Sequence, residues 1–92
     1  KEVKSMYKNK IIRIDNKLGT NIGLLIEATD DLTALKVAQN IGVSKSAFSN
    51  YVRNRRQPDH ATLIKIADYF DVSVDYLLGR RKYLEAKGEK FL

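Results

Sequence analysis

The chain has 92 residues, of which 43% are hydrophobic, and this is enough for one small core but not for a second domain. It contains no cysteine, so neither disulfides nor a cysteine-ligated zinc ion can support the fold. The net charge is +6, and the longest apolar run, residues 22–26, is far shorter than the roughly 20 residues that cross a bilayer. We therefore expect a single cytoplasmic domain that does not enter a membrane.

Residues 1–18 form a basic N-terminal extension, with six basic residues and two acidic ones. Their apolar residues fit a helical stripe, but Ile12 and Ile14 also alternate like a short strand, and the helical interpretation is favoured. A helix over about 20–29 follows. The segments that come next indicate a compact domain, which is expected to occupy residues 19–79.

Two short helices joined by a tight glycine turn are predicted within residues 33–56, TALKVAQNIGVSKSAFSNYVRNRR. Thr33 can cap the first helix, Gly42 can end it, and Ser44 can cap the second. Asn54 can adopt the left-handed conformation needed where the second helix ends. Apolar residues recur at helical spacing in both segments: Leu35, Val37, Ala38, Ile41, Val43, Phe48, Tyr51 and Val52. This layout is typical of a helix-turn-helix, whose second helix lies in the DNA major groove.

Two further helices are predicted after this motif. Asp59 can cap a helix over about 60–70, and Ser73 can cap a short last helix that Gly79 stops. The charged C-terminal tail, residues 80–92, is either a fraying helix or a disordered arm. The sequence thus predicts an all-α bundle of five helices.

Basic residues are concentrated at the second helix of the motif and in the loop that follows it. Residues 44–57 contain Lys45, Arg53, Arg55 and Arg56 and no acidic residue. A solvated surface usually mixes both signs of charge, so this segregation favours a polyanionic partner such as double-stranded DNA. Binding to a membrane surface would need bulky apolar residues beside the charge, whereas the outward positions here are polar.

Four outward side chains of the second helix are the candidates for reading base edges: Lys45, Ser46, Ser49 and Asn50. Asn50 offers a donor and an acceptor in one plane, which suits adenine N6 and N7, while Lys45 can donate to guanine N7 and O6. The candidates for phosphate contacts are Thr33, Ser44, Arg53, Arg55, Arg56 and Gln57, helped by uncapped N–H groups at the starts of the two helices. For Arg53 the alternative is that it covers a helix end or pairs with an acid.

No arrangement of residues indicates catalysis or a bound cofactor. The single histidine, His60, is expected to be an exposed residue in the first turn of a helix rather than a ligand or a base. Phe48 and Tyr51 occupy inward positions, so we expect them in the core rather than stacked on bases. There is no Ser/His/Asp set, no phosphate-binding glycine loop and no paired carboxylates. We therefore expect no enzyme, no metal site and no small-molecule ligand.

Residues 32–79 resemble the Cro/C1-type (XRE-like) helix-turn-helix domain of phage repressors and bacterial transcription regulators. The residues that carry the resemblance are Leu32-Thr33, Ala38, Gly42-Val43-Ser44, Ser49, Pro58, Thr62-Leu63, Ala67, Val72-Ser73 and Asp75-Tyr76-Leu77-Leu78-Gly79. The resemblance implies a compact five-helix bundle of the lambda repressor-like type, in which positions 45, 46, 49 and 50 read bases. It also implies a sequence-specific transcription regulator, in particular a repressor that binds a palindromic operator as a homodimer.

Three features depart from the family's pattern. Ala34 stands where a glutamine usually contacts phosphate, and Gly23 stands where a large apolar residue is common. The Arg–Glu pair that often joins the first and third helices is replaced by Glu27 and Val52, so Glu27 is expected to meet Arg53 instead. The missing glutamine and the N-terminal segment, which lies outside the resemblance, keep a second hypothesis open. In it the same fold is a protein-interaction module such as an antitoxin or a sequestering regulator.

Overall fold

A computed structural model describes residues 17–88, apart from the side chains of residues 81–83. These residues form six helices and no strand: α1 (Leu18–Glu27), α2 (Ala34–Ile41), α3 (Lys45–Val52), α4 (His60–Phe70), α5 (Val74–Leu77) and α6 (Arg81–Ala86). Almost all of the expected N-terminal extension lies outside the described residues. The all-α fold is confirmed, and a sixth helix in the tail joins the five that were predicted.

Local capping fixes the starts of four helices. In each case a hydroxyl or carboxylate oxygen accepts a hydrogen bond from the backbone N–H three residues later, at 2.8 to 3.2 Å: Thr33 from Lys36, Ser44 from Ala47, Asp59 from Thr62 and Ser73 from Tyr76. Such a bond satisfies one of the N–H groups that a helix start leaves without an intrahelical partner. All four predicted caps are therefore confirmed.

Left-handed residues end α2, α3, α4 and α5. Gly42, Asn54, Asp71 and Gly79 have φ angles of 79°, 61°, 56° and 75°. A residue in this conformation turns the chain away from the helix axis and lets the following N–H groups bond to the last carbonyl oxygens of the helix. The helix-turn-helix therefore has defined ends on both of its helices, at Gly42 and Asn54.

The core lies where the inner faces of the helices meet. Its most deeply buried large side chains are Ile22, Leu25, Val37, Phe48, Ile66, Phe70 and Leu77, together with the amide of Asn21. Phe48 and Tyr51 belong to this core, as predicted, and their rings meet edge to face with centroids 6.4 Å apart. Burial of one such side chain contributes roughly 1.5 to 3 kcal/mol to stability. Phe48 and Tyr51 thus hold one face of α3 against the body and turn the opposite face outward.

The start of α1 is held by contacts far along the chain. The helix begins at Leu18, two residues before the predicted start, and Lys17 provides no side-chain cap. Instead the N–H of Gly19 donates to Oδ1 of Asn54 at 2.8 Å. The buried Asn21 donates from Nδ2 to the carbonyl oxygen of Leu77 at 2.9 Å.

The expected contact between Glu27 and Arg53 is wrong. Among the side chains that the structure describes, the ion pair observed joins Arg80 to Asp75, at 2.7 Å. The reason is the packing of α1, whose first residues lie against the end of α3, so that a Cβ on Gly19 would overlap the carbonyl oxygens at that end. Glu27 lies eight residues further, about 12 Å along the helix axis.

The first part of the tail is helical. Residues Arg81–Ala86 form α6, and Leu84 within it is buried, with 6% of its surface exposed. The helix packs against α5. Of the two alternatives for the tail, the helix is therefore correct for this part. Residues 89–92 lie outside the described residues.

Candidate nucleic-acid interface

The polar face of α3 brings together the residues predicted to read bases. At 3.6 residues per turn, the outward positions fall within an arc of about 140°: Lys45, Ser46, Ser49, Asn50 and, directly after the helix, Arg53. Lys45 and Ser46 are exposed, while Ser49 and Asn50 are partly exposed. Since the core residues take the rest of the circumference, this face is the only one that α3 can offer to a partner.

The Asn50 side chain keeps its hydrogen-bonding capacity. Its backbone carbonyl oxygen accepts bonds from the N–H groups of Arg55 and Arg56, at 2.9 and 3.3 Å, but its amide makes no hydrogen bond within residues 17–88. Both a donor and an acceptor therefore remain for a ligand. In the same range no side chain pairs with the Lys45 ammonium group. These are the two groups that sequence reasoning assigned to adenine and guanine.

The starts of α2 and α3 offer hydroxyl groups and backbone N–H groups. Thr33 and Ser44 each use a hydroxyl oxygen to cap a helix, so the hydroxyl proton remains to be donated to an anion. The expectation of uncapped N–H groups is therefore correct only in part, because the caps engage those of Lys36 and Ala47. Ala34 is exposed as the first residue of α2, and its methyl group supplies no donor.

The exit loop, which we define as residues 53–58, carries three exposed arginines and an exposed glutamine: Arg53, Arg55, Arg56 and Gln57. The loop begins as a turn over the end of α3, because Asn54 is left-handed and the next two N–H groups bond to the Asn50 carbonyl oxygen. No arginine of the loop has an ion-pair partner among the described side chains. Their charge is therefore available to a polyanion and also complements the negative end of the α3 dipole.

Asp59, which follows the exit loop, caps a helix and does not pair with the arginines of the loop. Hydrogen bonds from the side chain and the backbone N–H of Thr62 lower the pKa of its carboxyl group, and the charges of Lys65 and Arg56 lower it further. The carboxylate is thus held at the start of α4 as a helix cap. It forms no ion pair with Arg56.

Two residues that sequence reasoning did not place near the site lie beside the exit loop. Lys17, Leu18, Asn54, Gln57 and Leu78 line a cleft of about 330 Å³. Lys17, at the start of α1, and Gln57, in the exit loop, thus line the same cleft, which places a further basic residue on this side of the molecule. Asn54, whose side chain bonds to α1, was predicted only as a left-handed residue. The two hydrogen bonds of the Asn54 side chain join residues more than 30 positions apart, so no local pattern could have revealed them.

The rest of the described chain offers few other kinds of site. No three His, Cys, Asp or Glu side chains within residues 17–88 come together as metal ligands would. None of the helices described is long and apolar enough to cross a membrane.

Comparison with known proteins agrees with the geometry of α2 and α3. A helix-turn-helix family model matches residues 30–77, about half of the chain. Three similar proteins are HTH-type transcriptional regulators of Bacillus subtilis (strain 168): YqaE is 43% identical over 47 residues, ImmR 40% over 48 and AnsR 36% over 62. These matches cover 51%, 52% and 58% of this chain, but only 40%, 38% and 53% of the relatives. The chain therefore spans about half the length of the relatives that it matches.

A solved structure shares the fold. The solution structure of the SOS-response transcriptional repressor LexA from Eubacterium rectale matches with a TM-score of 0.63 and 25% identity, over 71% of each chain. The match extends beyond the two helices of the motif to most of the described bundle. The resemblance to Cro/C1-type proteins is thereby confirmed, and the chain belongs to the XRE-type helix-turn-helix family of DNA-binding transcription regulators.

Proposed function

We propose that this protein is a sequence-specific, double-stranded DNA-binding repressor that recognises a palindromic operator as a homodimer. The observation that carries the proposal is the outward face of α3, where polar side chains with unused hydrogen-bonding groups lie beside an acid-free loop of three arginines. A helix of this kind fits the width of the major groove.

In this proposal α3 supplies the base contacts. Asn50 bonds to adenine N6 and N7 through its two amide atoms, and Lys45 donates to guanine N7 and O6. Ser46 and Ser49 have short side chains, so they reach bases or phosphates only when the helix sits deep in the groove. That depth is possible because no aromatic or branched apolar side chain stands on this face of α3, and its long side chains, Lys45 and Arg53, are flexible.

The backbone contacts come from the exit loop and the starts of the two helices. On one side of the groove, phosphates are bound by the side chains of the exit loop: Arg53, Arg55, Arg56 and Gln57. On the other side, phosphates are bound by the hydroxyl groups of Thr33 and Ser44. With four basic groups per subunit, a dimer would neutralise about 6 to 8 phosphates, so its affinity should fall steeply as salt is added. These contacts give affinity and register, whereas the base contacts give sequence choice.

The repressor role is supported by the similar fold of LexA, which is named as a transcriptional repressor. The dimer is part of the proposal because a palindromic operator has the two-fold symmetry of a dimer. A two-fold dimer presents two α3 helices to one side of the duplex, and helix-turn-helix dimers place them about 34 Å apart, which is one turn of DNA. A bound dimer represses when its operator overlaps the site where transcription starts.

The proposal is tested by selecting binding sites from a pool of random duplex DNA, followed by sequencing. The expected result is an enriched palindrome with half-site centres about 10 bp apart, bound by two chains per duplex in analytical ultracentrifugation. Failure to enrich any sequence would contradict the proposal. A protein partner that stays bound at high salt, together with no salt-sensitive DNA binding, would favour the protein-interaction module instead.

Arg55→Ala tests the proposed backbone contacts. It should weaken binding to specific and random DNA alike and make the slope of log affinity against log salt shallower by about 0.9 per subunit. Lys65→Ala is the matched control, because it removes the same charge from an exposed position on α4. Equal salt slopes for the two variants would contradict a phosphate contact by Arg55.

A further inference from the structure

The side chain of Asn54 joins the end of α3 to the start of α1. Its Oδ1 accepts a hydrogen bond from the N–H of Gly19 at 2.8 Å, and its Nδ2 donates to Oγ1 of Thr20 at 3.2 Å. We call this pair of hydrogen bonds the Asn54 clasp. Because Lys17 provides no side-chain cap, the clasp is the side-chain cap of α1, and it comes from 35 residues further along the chain.

The clasp depends on a close approach between the two helices. A Cβ on Gly19 would lie 2.6 Å from Oδ1 of Asn54 and would overlap the carbonyl oxygens of Tyr51 and Val52. A Cβ essentially never comes so close to another atom, so only glycine leaves the room that Asn54 occupies. The start of α1 and the end of α3 therefore meet backbone to backbone, and the clasp has little room to move.

The clasp also explains why an asparagine stands at this left-handed position. Glycine reaches positive φ at the least cost, and Gly42 and Gly79 do so at the ends of α2 and α5. Asn54 accepts the same conformation, with a φ of 61°, while carrying a side chain. The turn alone would be served by glycine, whereas the bonds to Gly19 and Thr20 require the amide.

The clasp lies between the two sets of predicted DNA contacts. Asn50 precedes it on the outward face of α3, and Arg55 and Arg56 follow it directly in the exit loop. The Arg–Glu pair that the resemblance would imply between the first and third helices cannot form here, because Glu27 and Val52 occupy those positions. The clasp joins the same two helices by another route.

We propose that Asn54 is a positioning residue, which anchors the exit loop on α1 and so fixes where Arg55 and Arg56 meet the DNA backbone. This inference rests on the proposed function. Asn54 acts through its neighbours and needs no contact with DNA.

Asn54→Gly is the central test, because it keeps the left-handed turn, removes the clasp and changes no charge. We expect DNA affinity to fall about two- to tenfold, the range that one or two lost hydrogen bonds support, and the salt slope to become shallower. Affinity is measured by fluorescence anisotropy at several salt concentrations, below the melting temperature of every variant. NMR relaxation should show more motion at the Arg55 and Arg56 amides.

Thr20→Val separates positioning from direct DNA contact, because it removes one bond of the clasp and leaves Asn54 in place. We expect a smaller loss of affinity in the same direction, with no further loss when Thr20→Val is added to Asn54→Gly. Asp31→Gly makes the same backbone change at another residue with a φ of 61°. It is the control for thermal stability and for amide motion, and it should leave the motion of the Arg55 and Arg56 amides unchanged.

Two results would overturn the inference while leaving the proposed function intact. One is DNA binding by Asn54→Gly with unchanged affinity and salt slope. The other is a loss in Asn54→Gly with no effect of Thr20→Val, which would mean that Asn54 itself contacts DNA. Absence of salt-sensitive DNA binding by the unaltered chain would overturn the proposed function, and the positioning role with it.

Discussion

At the scale of single residues, Asn50 is the side chain from which we expect most of the sequence discrimination. Its amide lies on the outward face of α3 and has no hydrogen-bond partner within residues 17–88. Asn50→Ala should therefore cost about 1 to 3 kcal/mol on the selected operator and relax the preference at one base pair. Affinities for the operator and for single-base variants of it give the measurement.

Gln39→Ala provides the control for Asn50→Ala, because Gln39 is an exposed amide on α2, away from the outward face of α3. It should leave discrimination unchanged. If Asn50→Ala weakens operator and random DNA by the same factor, the assignment of base reading to Asn50 is wrong.

Asp59 links the stability of the fold to pH. Its pKa is lowered from 3.8 in the folded protein, chiefly by hydrogen bonds from Thr62, so the ionised form stabilises the fold. This contribution is fully present above the unfolded value and is lost as the pH falls through the lower folded pKa. Asp59→Asn keeps a capping oxygen, yet it should reduce the fall in melting temperature between about pH 5 and pH 2, measured by circular dichroism.

Asp30→Asn is the matched control for this pH effect, because it removes an exposed carboxylate that caps no helix. In Asp30→Asn the melting temperature should still fall at acid pH by the amount that depends on Asp59. If the melting temperature of Asp59→Asn falls as much at acid pH as that of the wild type, other groups account for the acid sensitivity.

At the scale of helices, the contact between α1 and α3 distinguishes two glycines. A Cβ on Gly19 would overlap backbone oxygens of α3, whereas a Cβ on Gly23 would lie at an ordinary 3.8 Å from Cγ1 of Val52. We expect Gly19→Ala to destabilise the protein by about 1 to 3 kcal/mol. Gly23→Ala should stabilise it by up to about 1 kcal/mol, because alanine favours the helix more than glycine does. Urea denaturation of both variants measures the difference, and a shift in the same direction for both would contradict the packing.

The ends of the helices show which features of this fold a sequence can predict. The caps at Thr33, Ser44, Asp59 and Ser73 were predicted because each bond spans three residues. The start of α1 was placed two residues late, since its cap is the side chain of Asn54, 35 residues away. The sequence of the tail is compatible with either a helix or a disordered arm, because a six-residue helix depends on packing, here against α5.

In the candidate site, too, local features could be predicted from the sequence, and contacts between distant residues could not. Helical periodicity predicted which side chains of α3 face outward, and the run of bases predicted the charge of the exit loop. Neither pattern could indicate that Lys17 and Gln57 line one cleft or that Asn54 bonds to α1, because both features depend on how the first helix packs against the third.

At the scale of the whole molecule, α6 packs against α5 and carries a buried side chain, Leu84. Leu84 is buried, with 6% of its surface exposed, whereas Leu78, six residues earlier, is 41% exposed. Leu84→Ala should lower the free energy of unfolding by about 2 to 3 kcal/mol, and Leu78→Ala by no more than about 0.5 kcal/mol. Thermal unfolding compares them, and equal losses would show that α6 does not contribute to the core.

The bonds of α1 also have a consequence for the order in which the chain acquires its shape. The hydrogen bond of Gly19 cannot form before Asn54 has been synthesised. That of Asn21 cannot form before Leu77, 56 residues later, has been synthesised. A ribosome adds about 5 to 20 residues per second, so α1 exists for several seconds before its last partner is made. The nascent chain therefore carries both helices of the motif before it can hold its first helix in place. The first helix, on which the proposed DNA-reading surface is anchored, can form both bonds only when α5 has been synthesised and the chain between them has folded back.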